Sequence, residues 1–197
     1  QGFFGPGMRI ISGLVFSAAL IAAGEWLRRR EKGSGDVSQA PDTFSFERPS
    51  IPAILTAAGT IGAFGSVYAA HAIYEFIGPA LTFIALGAIG VATMLAAALH
   101  GPMLAGVGIL GAMAAPLLVT SKTPSVWPVV LYMAVVAIFA YGLARLRQWM
   151  WLALATAAGG ALWCGALTLA PAALYSIAFY HGALAHVLIQ SALALFF

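Results

Sequence analysis

Two ionisable residues with a spacing suited to shared chemistry, His71 and Glu75, lie four positions apart near the end of an apolar segment. On a helix, side chains four residues apart lie on one face. An imidazole and a carboxylate placed in this way inside a membrane can relay a proton or provide half of a metal site. An interfacial hydrogen-bonded pair is the competing interpretation. His71 and Glu75 are therefore candidate functional residues.

Glu25 is a third candidate, three residues before Arg28 and four before Arg29 at the end of another apolar segment. These spacings predict ion pairs along one helix face. A pair at the membrane surface is the structural interpretation. Glu25 remains a candidate functional residue because few ionisable side chains lie within the apolar segments.

The other chemistry-bearing residues form no recognisable constellation. His181 and His186 are five positions apart, which is about 140° around a helix, so they cannot share a metal ion without distortion. Cys164, the single cysteine, is expected to be a small buried hydrophobe. The sequence contains no HExxH, CxxC or glycine-rich phosphate loop. We predict no catalytic residue, metal site or cofactor, and favour a non-enzymatic role while leaving enzymatic activity open.

The elements that position these residues are apolar helices. Of 197 residues, 62% are hydrophobic and 8% are charged, whereas soluble domains carry roughly a quarter charged residues. This composition excludes a soluble globular domain and a disordered chain. A spanning helix needs about 20 apolar residues, so we predict an all-α membrane bundle of about seven transmembrane helices. The predicted spans are 6–27, 52–77, 79–100, 102–120, 126–146, 149–170 and 171 to the end.

Gly-Pro pairs, as at Gly78-Pro79 and Gly101-Pro102, predict the turns between spans. Glycine closes a helix in a left-handed conformation, and proline fits the first turn of the next helix. One long hydrophilic stretch interrupts the apolar segments. The predicted domains are a first transmembrane helix at 1–28, a polar linker at 29–49 and a six-helix transmembrane bundle at 50–197.

Positive charge predicts the orientation of the chain. Lys and Arg are enriched on the cytoplasmic side of membrane proteins. Of the nine Lys and Arg residues, two lie on the side of the membrane where the chain begins and seven lie on the opposite side. Gln1 is therefore predicted outside and the linker 29–49 inside the cytoplasm. Because these charges flank spans, nucleic-acid binding is not expected; the predicted partners are the lipid bilayer and other membrane helices or subunits. The seven basic residues on the predicted cytoplasmic side are Arg28, Arg29, Arg30, Lys32, Arg48, Arg145 and Arg147.

Small residues predict how the helices pack, because close backbone approach drives helix association in lipid. In the second span Ala58, Gly62, Ser66 and Ala70 are spaced by four, with Gly59 and Gly65 widening the stripe. The fourth span is the shortest and the richest in glycine, and Pro116 lies inside it. Such interrupted segments also occur in transporters. The predicted helix-packing residues are Gly59, Gly62, Ser66, Gly108 and Gly111.

Three runs carry a family resemblance: 24–30 (GEWLRRR), 52–59 (PAILTAAG) and 108–118 (GILGAMAAPLL). With Gly5-Pro6 before the first of them, they resemble the bacterial predicted membrane proteins grouped as domain of unknown function 2339, from Gly5 to about Trp163. The resemblance implies many spans, a bacterial inner-membrane location and a chain that is an internal fragment of a longer protein. It implies no activity and no catalytic residues.

Two functions follow as expectations. The first is a non-enzymatic multi-pass module that serves as a scaffold or accessory part of a larger membrane protein or complex. The alternative is a transporter or lipid-handling protein with a groove near the Gly-rich fourth helix, gated by His71 and Glu75. A polar lining along a path would favour transport, and a dry interior would favour the scaffold.

Overall fold

A computed structural model describes residues 5–33, 50–119, 126–169 and 177–196. Most of the predicted linker 29–49, Lys122 and the start of the seventh span near Pro171 lie outside these ranges. The inferences that rest on them therefore stay predictions.

The described residues form seven α-helices and no strand, which confirms the predicted all-α membrane bundle. Six of these helices are long and apolar enough to cross a membrane, and α4, with 17 residues, is the shorter apolar helix that the sequence predicted. In chain order the helices are α1 (Pro6–Gly33), α2 (Ile51–Ala72), α3 (Pro79–His100), α4 (Pro102–Leu118), α5 (Val126–Arg147), α6 (Met150–Thr168) and α7 (Ile177–Phe196).

The two Gly-Pro turns differ in their backbone. Gly101 has a φ of 102° and joins α3 to α4 in a single residue, a conformation that glycine adopts without steric cost. Gly78 has a φ of −73°, so the left-handed conformation predicted there is wrong. The left-handed residue after α2 is Glu75, with a φ of 51°.

The helices pack in three groups. α1 packs mainly along α2, α3 packs along α4, and α5 contacts both α6 and α7. The main core lies where α3, α4, α5 and α6 meet, around buried side chains such as Met94, Leu104 and Leu152. α1 is thus held at the edge of the bundle, with an apolar outer face that includes Ile11, Val15 and Phe16.

Candidate functional site

The His71–Glu75 pair does not share a helix face. α2 ends at Ala72, and Glu75 lies beyond it in a left-handed conformation. The His71 imidazole Nδ1 lies 3.0 Å from the Ile77 carbonyl oxygen, and the Glu75 side chain is exposed. The prediction that these two side chains share a helix face is therefore wrong, because α2 ends before Glu75. A functional role for either residue alone stays a prediction.

Glu25 makes both predicted ion pairs. Its carboxylate accepts from the Arg28 guanidinium at 2.6 and 2.8 Å and from Arg29 Nε at 2.7 Å. The His100 ring, at the end of α3, places its Nε2 3.7 Å from Glu25 Oε2. This charged cluster therefore brings together the carboxyl ends of α1 and α3. It lies at an end of the bundle, where water screens much of the attraction.

Small residues of α1 and α2 interlock along a seam. A Cβ added at Gly59 would lie 2.6 Å from the Ser17 carbonyl oxygen, and one at Gly62 would lie 2.5 Å from Ser17 Oγ. Across the same seam, a Cβ at Gly13 would lie 2.5 Å from Ser66 Oγ. The predicted packing residues of α2 thus face α1, and Gly59 lies directly against the α1 backbone.

The α1 side of this seam was missed from the sequence. Gly13, Ser17 and Gly24 lie on it, and a Cβ at Gly24 would lie 2.7 Å from the Pro52 carbonyl oxygen. The small-xxx-small spacing of Gly13 and Ser17, continued seven residues on by Gly24, is the signal that marks this face. Gly65 does not widen the stripe as predicted, because it is exposed with open space at its Cβ position. Ala58, predicted on the same stripe, is also exposed.

A second seam joins α3 to α4. A Cβ at Gly108 would lie 3.0 Å from Met94 Cγ and 3.2 Å from the Met94 backbone nitrogen, and one at Gly90 would lie 3.0 Å from Ala112 Cβ. Gly111 faces α2 instead, where a Cβ would meet the Phe64 ring at 2.8 Å. Both predicted glycines of α4 therefore lie at close helix contacts.

α4 is one continuous helix across its glycines and Pro116. The sequence suggested a break of the kind that transporters use for ion and substrate sites. Within Pro102–Leu118 no such break occurs, so α4 does not supply the unwound backbone that this interpretation requires.

Buried serine and threonine hydroxyl groups bond to carbonyl oxygens of their own helices. Ser17 Oγ donates to Gly13 O, Thr56 Oγ1 to Pro52 O and Thr156 Oγ1 to Leu152 O, each four residues back. This local bond satisfies the hydroxyl without a second helix. With their hydroxyl groups bonded in this way, these side chains pack against neighbouring helices as small apolar side chains would.

His186 and Gln190 are buried polar residues that sequence reasoning passed over. Both lie on α7, with exposed fractions of 0% and 7%, whereas His181 is exposed. Gln190 Nε2 donates to the Met133 carbonyl oxygen of α5 at 3.4 Å. In the sequence, His186 was compared only with His181. Gln190, which lies four residues after His186 on the same helix face, was not included in that comparison.

An apolar groove of about 830 Å³ lies between α3 and α5. Phe83, Ile84 and Phe139 are among its lining residues. Tyr132 also lines it, and its hydroxyl donates to the Ala112 carbonyl oxygen of α4 at 2.9 Å. The groove can therefore hold an apolar ligand. The Tyr132 hydroxyl is already bonded to α4, so it is not available to a polar solute.

No three His, Cys, Asp or Glu side chains in the described ranges come together as a metal site needs.

Neither a curated protein nor a solved structure matches the chain. One family model does match, with the description "Predicted membrane protein (DUF2339)", and the match extends over residues 1–197. A bundle of apolar helices agrees with that description, and since the match spans the whole chain, this protein belongs to the DUF2339 family of predicted membrane proteins.

Proposed function

We propose that this chain is a non-enzymatic scaffold or accessory module of a larger membrane protein or complex. The observation that carries the proposal is the pair of close-packed seams, α1 with α2 and α3 with α4. Backbones that approach this closely hold helices in one fixed arrangement. A fixed arrangement presents outward-facing side chains in constant positions, which is what a partner helix recognises.

The edge position of α1 gives this module a surface for partners. α1 packs mainly on α2, so most of its circumference faces away from the bundle. Met8, Ile11 and Leu14 are exposed there. Lipid solvates such a face when no partner is present, and a neighbouring helix covers it within a complex.

Lipid binding is the second candidate function, and the groove between α3 and α5 favours it over transport of a polar solute. The groove extends from Pro79 to Val91 on the α3 side. At 1.5 Å per residue this is about 18 Å, a little more than half of the roughly 30 Å hydrocarbon core. One acyl chain of a single leaflet matches that length. Gly87 lines the groove on α3, where it faces the Tyr132 ring.

One purification separates these functions. Native protein taken from the membrane in mild detergent is expected to carry stoichiometric partner proteins, identified by mass spectrometry, if it is a scaffold. If the groove binds lipid, a retained lipid is expected to be lost from the Ala88→Trp variant, which fills the groove. The Ala58→Trp variant, on an exposed face of α2 outside the groove, serves as the control. Protein with neither partner nor retained lipid would contradict both candidates.

The location proposed for this module is the bacterial cytoplasmic membrane, with Gln1 outside and the linker 29–49 in the cytoplasm. The contact of Glu25 with His100 and the bond from Arg145 to the Phe196 carbonyl oxygen support this orientation. They bring the carboxyl ends of α1 and α3 together, and likewise those of α5 and α7. These ends carry most of the described arginines.

Cysteine labelling tests this orientation. In a Cys164→Ser background, a cysteine replacing Ser38 in the linker is expected to resist an impermeant maleimide applied to intact cells. A cysteine replacing Gly78, at the opposite end, is expected to react. The reverse labelling pattern would overturn the orientation.

A further inference from the structure

Three polar atoms in the interior between α5, α6 and α7 have no hydrogen-bond partner among the described residues. They are both ring nitrogens of His186 and the amide oxygen Oε1 of Gln190. His186 is completely buried. A buried polar group without a partner has lost its hydrogen bonds to water and gained none in return, so this cluster needs an explanation.

The contacts of Gln190 fix the direction of its amide. The Met133 carbonyl oxygen can only accept, so the amide nitrogen must face α5. The amide oxygen therefore points the other way, toward α6. There a Cβ on Gly160 would lie 3.0 Å from it, so glycine at this position leaves room for the oxygen.

His186 brings one donor and one acceptor to the same place. None of the three surrounding helices carries an Asp or Glu: α5, α6 and α7 have none in their sequences. No carboxylate is available on them to hold the imidazole in its charged form, so one ring nitrogen carries a hydrogen and the other accepts. The Gly160 backbone lies beside the ring. Its carbonyl oxygen is an acceptor available to the N–H on that side of the ring, outside hydrogen-bond geometry in the structure.

Two acceptors then remain, the second imidazole nitrogen and Gln190 Oε1. Both need a hydrogen. Because His186 and Gln190 are one helical turn apart, their Cβ atoms lie about 6 Å from each other. A molecule with two donor hydrogens bridges such a pair, whereas a protein hydroxyl with one hydrogen satisfies only one of them. Buried water typically makes about three hydrogen bonds of this kind.

We propose that His186 and Gln190 form a binding site for a water molecule inside the bundle, bridged between the imidazole nitrogen and the amide oxygen. His186 is the tenth residue of the 20-residue helix α7, about 14 Å from the first residue of the helix. The site is therefore near the middle of the membrane. It makes the junction of α5, α6 and α7 a hydrated point inside the bundle.

Water-edited solid-state NMR of the full chain in lipid bilayers tests this site. With ¹⁵N-labelled histidine, magnetisation is expected to pass from water to the His186 imidazole, whose signal is identified by its loss in His186→Leu. Gln190→Leu removes one of the two acceptors and is expected to reduce the transfer at His186 several-fold. His181→Leu, on the exposed side of the same helix, is the matched control and is expected to leave it unchanged.

A second variant covers the case in which Gln190→Leu does not fold. Gly160→Ala places a methyl group against the amide oxygen and is expected to reduce the same transfer. Absence of transfer at His186 in the unaltered protein would overturn the proposal. So would a transfer that both variants leave unchanged, because the water would then not depend on the amide oxygen.

Discussion

Replacing Gly59 with leucine is expected to separate α1 from α2. A Cβ there would lie 2.6 Å from the Ser17 carbonyl oxygen and 3.1 Å from the Ile21 backbone nitrogen. Backbone atoms cannot turn away as a side chain can, so the helices must move apart. Overpacking a tight interface costs about 1–3 kcal/mol, and this contact, made with backbone, belongs at the upper end of that range.

Thermal unfolding in detergent, followed by tryptophan fluorescence, measures this effect. Gly65→Leu is the matched control, because it makes the same change in the same helix at a position with open space around it. We expect a lower unfolding temperature for Gly59→Leu and no loss for Gly65→Leu. Equal stability of the two variants would show that the α1–α2 seam is not a close backbone contact.

Replacing Gly108 with leucine is expected to disrupt the α3–α4 seam to a similar extent. The added side chain would begin 3.0 Å from Met94 Cγ and 3.3 Å from the Gly90 carbonyl oxygen. Met94 is completely buried, so it has little room to move. The expected loss is again about 1–3 kcal/mol, and it falls on the main core rather than at the edge of the bundle.

Gly106→Leu provides the comparison for this second seam, two residues away on α4. The atom nearest a Cβ there is in the Trp151 ring at 3.9 Å, an ordinary contact distance. Size-exclusion chromatography after stepwise heating is expected to show earlier loss of the monodisperse peak for Gly108→Leu alone. If Gly106→Leu were the less stable variant, the assigned packing face of α4 would be wrong.

Much of the architecture could be predicted because length and composition determine it. The extreme apolar content predicted the helices, the Gly-Pro pairs predicted where α3 and α4 begin, and the three- and four-residue spacings from Glu25 predicted its ion pairs. Each of these inferences depends on residues that are neighbours in the chain or on one helix. Local sequence contains that information.

The facing directions of the helices were harder to predict. In a soluble helix, polar residues mark the outer side, but here both the lipid-facing and the buried side are apolar. Gly59 and Gly65 therefore looked equivalent in sequence, although one lies in the seam and the other faces outward. The His71–Glu75 pair failed for a different reason, since helix periodicity was extended three residues past the end of α2.

The His186–Gln190 site could not be predicted because its significance depends on other helices. The sequence shows two polar residues with helical spacing. Only the positions of Met133 on α5 and Gly160 on α6 show that both are buried and which way the amide points.

The hydroxyl bonds within single helices have a consequence for biogenesis. Thr56, Thr60 and Thr156 are buried, yet each bonds a carbonyl oxygen of its own helix. A newly inserted helix can therefore satisfy these groups in lipid before any neighbour arrives. No such bond has to break when the helices associate. Each helix is therefore stable in the bilayer until the helices synthesised after it are inserted.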